Sequence, residues 1–137
     1  MTDASELEPI DEVVARFFGA FDNRNGRTPT LESIAALFAP GAIIVRDAGE
    51  TCESWSVTAF AQPRVELLTS GRLVDFHEWE TDTTTRALGS VAERDCRYEK
   101  LGVLDGEPYV GGGRKLIHLG RFADGWRITA IAWSDEA

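Results

Sequence analysis

His77 and His118 are the only two histidines of this sequence. Imidazole is the ordinary side chain whose charge changes between roughly pH 5 and 8, which makes these two the first candidates for moving a proton. Only His118 has a carboxylate whose position the sequence itself implies. If Asp105-Gly106 is a two-residue hairpin turn, Leu104 faces Glu107, and counting back along both strands brings Glu93 opposite His118. A carboxylate beside an imidazole fixes which nitrogen carries the proton, and such a pair can act as general acid and base. The plainer alternative is a core histidine satisfied by Glu93 or by a backbone carbonyl. Arg46 is a second candidate, because an inward guanidinium clamps a carboxylate or enolate oxygen with two parallel hydrogen bonds. Its alternative is an ion pair with Asp47, Asp95 or Glu93. His77 and Trp79 share one face of their strand, and the sequence leaves open which face that is.

No ligand pattern argues for a metal: His77 and His118 fall on separate strands, and no histidine pair has helical spacing. There is no Gly-x-Ser-x-Gly elbow, Walker loop or dinucleotide fingerprint, so no cofactor is expected. Gly111-Gly112-Gly113 lies within strand sequence and reads as a bulge, not a phosphate cradle.

The elements that must position these residues are legible from periodicity. Ile10, Val13, Val14, Phe17, Phe18 and Phe21 form one helical stripe, predicting a helix from near Pro9 to the cluster at Asp22 to Gly26. A shorter helix is predicted from about Pro29, with Leu31, Ile34, Ala35 and Phe38 inward, ended by Ala39-Pro40-Gly41. Ala42 to Asp47 reads as a strand, turned at Ala48-Gly49 into another around Thr51 to Trp55. Ser56 can cap a third helix running towards Leu68 and closed by Gly71, with Pro63 kinking or splitting it. The rest reads as strands: Leu73 to Thr81, Arg86 to Val103, Tyr109 to Phe122 and Trp126 to Trp133. Helices first and an antiparallel meander after them is an α+β order with the helices on one sheet face.

A two-residue turn at Asp124-Gly125 would bring Ile131 opposite His118 and Trp133 opposite Leu116. One face then holds Glu93, Asp95, Arg97, Leu116, His118, Phe122, Thr129, Ile131 and Trp133, and the concave pocket is expected there. Asp95, Arg97 and Arg114 would stand at its rim. The opposite face would hold Ile117, Leu119, Trp126, Ile128, Ala130 and Ala132, apolar enough to predict a homodimer through the convex side of the sheet.

At 137 residues the chain reads as one domain, 1–137. Its net charge of −9 argues against nucleic acid or an anionic membrane as partner. The start, Met1 to Ser5, carries no basic and apolar leader pattern, and Cys52 and Cys96 lack metal or framework spacing. Reduced thiols and a cytoplasmic location are the expectation.

The order of helices, F-A-P-G-A-I-I-V entering the first strand and G-W-R-I-T-A-I-A-W-S-D-E closing the last resemble the nuclear transport factor 2-like superfamily, over nearly the whole chain. The resemblance implies a cone-shaped curved antiparallel sheet wrapped around N-terminal helices, commonly dimeric, with a pocket between sheet and helices. Ketosteroid isomerase belongs to this group and permits a residue-by-residue comparison. Arg46 stands at its general-base position with Asp47 one place on, Phe17 at the oxyanion-hole tyrosine, His118 at the oxyanion-hole aspartate and Trp133 at the pocket tryptophan. Arginine is no base near neutrality and phenylalanine donates no hydrogen bond, so steroid isomerisation is not expected.

The sequence thus predicts a small-molecule-binding protein with a mostly apolar pocket and no cofactor. Its expected ligand-binding residues are Arg46, Trp133, Phe17, Asp95, Ile131, Leu116 and Thr129. Two alternatives stay open. One is an isomerase, cyclase or dehydratase using His118 and Glu93; the other is a pocketless dimerisation module.

Overall fold

A computed structural model describes residues 4–136. The reading of residues 1–3 as lacking a leader lies outside the described residues. The elements run α1 (Ala4–Gly19), α2 (Leu31–Ala35), β1 (Phe38–Asp47), β2 (Cys52–Ser56), α3 (Val57–Thr69), β3 (Leu73–Leu88), β4 (Val91–Leu104), β5 (Glu107–Phe122) and β6 (Gly125–Glu136). Six strands make one curved, unclosed sheet in the order β2-β1-β6-β5-β4-β3, antiparallel except where β1 meets β6. The α+β order expected from the sequence is the fold observed.

Helix α1 buries Ile10, Val14, Phe17 and Phe18 against the sheet, the stripe that periodicity identifies. It begins at Ala4 and runs through Pro9, a stretch in which half-buried Leu7 continues the stripe between otherwise exposed residues. Helix α2 is a single short turn capped by Thr30, and Phe38 belongs to β1 instead. Ser56 caps α3 as expected, its hydroxyl accepting the Ala59 N–H at 3.2 Å, and the helix runs unbroken past Pro63. The stretch read as one strand from Arg86 is divided by a tight turn at Gly89-Ser90, where Leu88 opposes Val91.

Asn23, in the loop after α1, ties that loop to α3 and β3. Its amide donates to the carbonyls of Leu68 at 2.9 Å and Leu73 at 2.8 Å, and its oxygen accepts the Phe76 N–H at 2.8 Å. Arg94 ties α1 to the sheet by pairing with Glu80, Asp11 and Thr85.

The turn at Asp105-Gly106 has both residues at positive φ, 50° and 83°, the geometry of a two-residue hairpin, and Glu93 opposes His118 as counted. The three glycines of β5 do not bulge. Their ladder to β4 is unbroken, and they are small because neighbours crowd them: a Cβ on Gly113 would lie 2.1 Å from the Ser134 carbonyl oxygen. The other hairpin departs from the count twice. Its turn is Ala123-Asp124, and Thr129 is an extra residue in β6, since His118 pairs with Ala130 whereas Leu119 pairs with Ile128. A single extra residue exchanges the faces of everything beyond it.

The consequence is a correction to the pocket. Cys96, Tyr98, Lys115, Ile117, Leu119, Ile131 and Trp133 face the helices, while Glu93, Asp95, Leu116 and His118 face outward. Ile117, Leu119 and Ile128, expected on a convex dimer face, are core residues; Ala130 and Ala132 remain on the outer face. Among the described residues no helix is long and apolar enough to cross a membrane.

Candidate functional site

A cavity of about 280 Å³ opens between the inner sheet face and helices α1 and α3. Phe17 from α1, Phe21 from the turn after it, Phe60 and Leu67 from α3, Phe76 from β3 and Trp133 from β6 supply its apolar wall. These rings pack edge to face, Phe17 on Phe21 at 5.5 Å and Phe60 on Trp133 at 5.5 Å between centroids, and Trp55 stacks on Trp133 at 5.9 Å. Phe17, Trp133 and Arg46, picked out from the sequence, all line this cavity.

Its charged groups are mostly cations. Arg46, Arg64, Lys100 and Lys115 face two carboxylates, Glu78 and Asp135. Asp135 is the hub of the mouth. It accepts a hydrogen bond from the Tyr98 hydroxyl and lies 3.2 Å from Arg46 Nη2 and 3.9 Å from Lys100 Nζ. Burial opposes its charge, but the Tyr98 bond and the cations Lys100, Arg46 and Lys115 outweigh it and hold the carboxyl below the usual range. Burial, then the bond to Asp135, pushes the Tyr98 phenol up, so that it stays a donor.

Arg64 is held differently. Its guanidinium donates to the Phe60 carbonyl at 2.8 Å and lies over the Phe60 ring at 3.9 Å. Among the described residues no carboxylate comes within ion-pair distance of it. Desolvation, reinforced by repulsion from Arg46, pulls its pKa below the ordinary arginine value, an unfavourable placement for a cation that a bound anion would relieve. Lys115 sits deepest, its side chain 7% exposed, with Nζ 3.7 Å from Glu78 Oε2, 4.0 Å from the centre of the Tyr98 ring and 5.0 Å from that of Trp133. Burial draws its ammonium below the usual lysine range, and Glu78 opposes this in part.

The remaining sequence-predicted residues are elsewhere. His118 and Glu93 do neighbour each other, at 3.9 Å, but on the outer face, where His118 is 60% exposed and Glu93 accepts from Arg86 at 2.8 Å. With Thr129 they line an open hollow away from the cavity. Asp95 is also outside, bound by Arg114 at 2.6 and 2.8 Å, and Leu116 is 41% exposed. Ile131 is on the inner face but packs into the core and does not line the cavity. Arg46 pairs with Asp135 and Glu53 instead of Asp47, Asp95 or Glu93. His77 and Trp79 stack at 4.5 Å on the outer face, since Glu78 between them points inward.

Arg64, Glu78, Lys100, Lys115 and Asp135 were not legible as a group. One signal did exist. The chain has twelve arginines and only two lysines, Lys100 and Lys115, and both line the cavity.

No protein-family model matches the chain, and no curated protein does. Solved structures do. A nuclear transport factor 2-like superfamily protein from Salmonella enterica superposes with a TM-score of 0.77 at 16% identity, over 98% of this chain and 94% of that one. A candidate dehydratase of the same family from Streptomyces avermitilis gives 0.74 at 14% identity, over 99% of both chains. A nuclear transport factor 2-like protein with a cystatin-like fold from Novosphingobium aromaticivorans gives 0.70 at 16%, over 98% and 90%. The chain therefore has the nuclear transport factor 2-like fold.

Proposed function

We propose that the cavity binds a small organic acid with a flat, apolar body, its anionic group held by Arg64 and Arg46 and its body lying among Phe60, Phe76 and Trp133. The observation that carries this reading is the cationic surplus inside a protein whose net charge is −9, with Arg64 half-buried against aromatic rings and no carboxylate within ion-pair distance of it among the described residues. Two guanidiniums that repel each other at one cavity are a poor arrangement for stability and a good one for an anion. A mostly apolar wall with a few converging polar groups is the usual make-up of such a site. A fold neighbour described as a candidate dehydratase agrees with the use of this cavity for small molecules.

Calorimetry with 2-naphthoate and 2-naphthamide tests the reading, because the two differ mainly in charge. The acid is expected to bind at least about tenfold more tightly, a difference of ~1.4 kcal/mol, and Arg64→Met should erase the preference. Equal affinities for acid and amide would contradict it.

A second reading concerns assembly. On the outer face Ile43 is 48% and Leu116 41% exposed, flanked by half-buried Val45, Ala130 and Ala132. We propose that two copies pack sheet to sheet across this stripe. Sedimentation should give a dimer, and Leu116→Glu a monomer, since an unpaired charge is costly to bury. A wild-type monomer at high concentration would overturn it.

A further inference from the structure

We propose that Lys115 is a covalent amine of the cavity: its Nζ condenses with the carbonyl carbon of an aldehyde or ketone, giving a Schiff base, and Glu78 carries the protons. The substrate class is then a carbonyl compound bearing an acidic group. This rests on the organic-acid reading above for the acidic group, and on Lys115 alone for the carbonyl.

The argument begins with composition. Outside the cavity the Lys/Arg side chains are all arginines, whereas both lysines are at the cavity. For holding an anion or covering a surface the two residue types compete on similar terms, and arginine binds carboxylates with better geometry. What lysine offers and arginine does not is an amine that loses its proton near neutrality when buried. Lys115 meets that condition by placement. Its head lies against the Tyr98 and Trp133 rings, its ladder partners are Cys96 and Trp133, and its side chain is more than nine-tenths buried. Desolvation favours the neutral amine, the form that is nucleophilic. Glu78, itself 13% exposed, is the nearest carboxylate and is placed to take that proton and return it.

The step balances. Lys115 ammonium passes a proton to Glu78, leaving a neutral amine and a carboxylic acid. The nitrogen lone pair forms a bond to the carbonyl carbon while the C=O π pair moves to oxygen. Glu78 protonates that oxygen and takes a proton from nitrogen, giving a carbinolamine. The C–O bond then breaks, the Glu78 proton leaves with the oxygen as water, and the nitrogen lone pair completes an iminium. In total one ammonium and one carbonyl give one iminium and one water, with Glu78 a carboxylate again.

Geometry limits which carbonyl compounds fit. Arg64 Cζ lies 5.8 Å and Lys115 Nζ 5.0 Å from the same Trp133 ring, so a flat molecule against Trp133 reaches both. An aromatic acid with a formyl or acyl group across the ring would present one group to each.

The test uses the full wild-type chain at pH 7 with 4-carboxybenzaldehyde and sodium cyanoborohydride, followed by peptide mapping of the reduced adduct. 4-Formylbenzamide serves as the uncharged comparison. Lys115 should carry at least about ten times the label of Lys100 and of the chain's amino terminus. Lys115→Arg, which keeps charge and bulk, should remove the label while leaving the melting temperature within a few degrees. Labelling spread evenly over the amines, or confined to Lys100, would overturn the proposal. So would 4-carboxybenzaldehyde that binds by calorimetry without an adduct at Lys115, and that result would leave the organic-acid reading intact. Equal labelling of Lys115 by the acid and the amide would support the covalent amine and refute the anion site.

Discussion

The register of β5 makes a stability prediction that separates neighbouring residues. Ile117 has no exposed surface and pairs with Ile131, which is 1% exposed, whereas the next residue, His118, points outward with most of its imidazole in water. Ile117→Ala removes about three methylene equivalents, ~2.4 kcal/mol at ~0.8 each. The hole left beside Ile131 cannot fully close, since both residues are held in a paired ladder, and the cavity term brings the expected loss to ~3–4 kcal/mol. For a domain of this size that is a fall in melting temperature on the order of 10 °C. His118→Ala should change stability by less than ~0.5 kcal/mol, as for other exposed sites. Urea unfolding followed by tryptophan fluorescence at low protein concentration measures both. Should His118→Ala cost several kcal/mol and Ile117→Ala almost nothing, the Thr129 bulge would be misplaced, and the inner face would be the one the turn count describes.

Three other outcomes are expected. Gly113→Ala places a methyl against the Ser134 carbonyl oxygen and the Tyr98 hydroxyl, so it should cost more than ~2 kcal/mol and loosen the Tyr98–Asp135 pair; a neutral result in thermal melts would contradict that crowding. Burial, reinforced by Glu80, pushes the Cys96 thiol up to about 12, so a maleimide should label exposed Cys52 and leave folded Cys96 unmodified; labelling of Cys96 at the rate of Cys52 would refute its burial. The hydrogen bond from Arg24, then its charge, lowers Asp22 to about 2, and a depressed carboxyl contributes stability above its unfolded pKa that is lost as pH falls through the folded value. Because Arg24 is partly exposed, the expected contribution is discounted to ~1–2 kcal/mol. Asp22→Asn should thus destabilise at pH 7 and converge with wild type near pH 2. A penalty independent of pH would show that the pairing with Arg24 is not its source.

The parts of the molecule that sequence revealed are those governed by repeated, local signals. The α1 stripe repeats over several turns, and Asp105-Gly106 fixes its hairpin because both residues tolerate positive φ, so the Glu93–His118 pairing followed correctly. The inner and outer faces did not follow, and one residue is responsible. Thr129 interrupts I-T-A-I-A, a run with no glycine or proline to mark a bulge, whereas the run that looked like one, Gly111 to Gly113, is a straight ladder under crowding. Register parity passes on an error without loss, so Trp133 could be placed rightly inside while His118, Leu116 and Asp95 were placed there wrongly. The cavity's charged residues were hidden for another reason. Arg64, Glu78, Lys100, Lys115 and Asp135 come from five elements, and nothing in their spacing along the chain brings them together before the sheet curves.

The central claim is that this cavity holds an organic anion by its arginines, and a crystal grown with 2-naphthoate tests it most directly. The account predicts the naphthalene rings against Phe60 and Trp133, with the carboxylate within hydrogen-bond distance of Arg64 or Arg46. An empty cavity with the acid bound at the outer hollow beside His118, or rings inside with the carboxylate turned out to solvent, would contradict it.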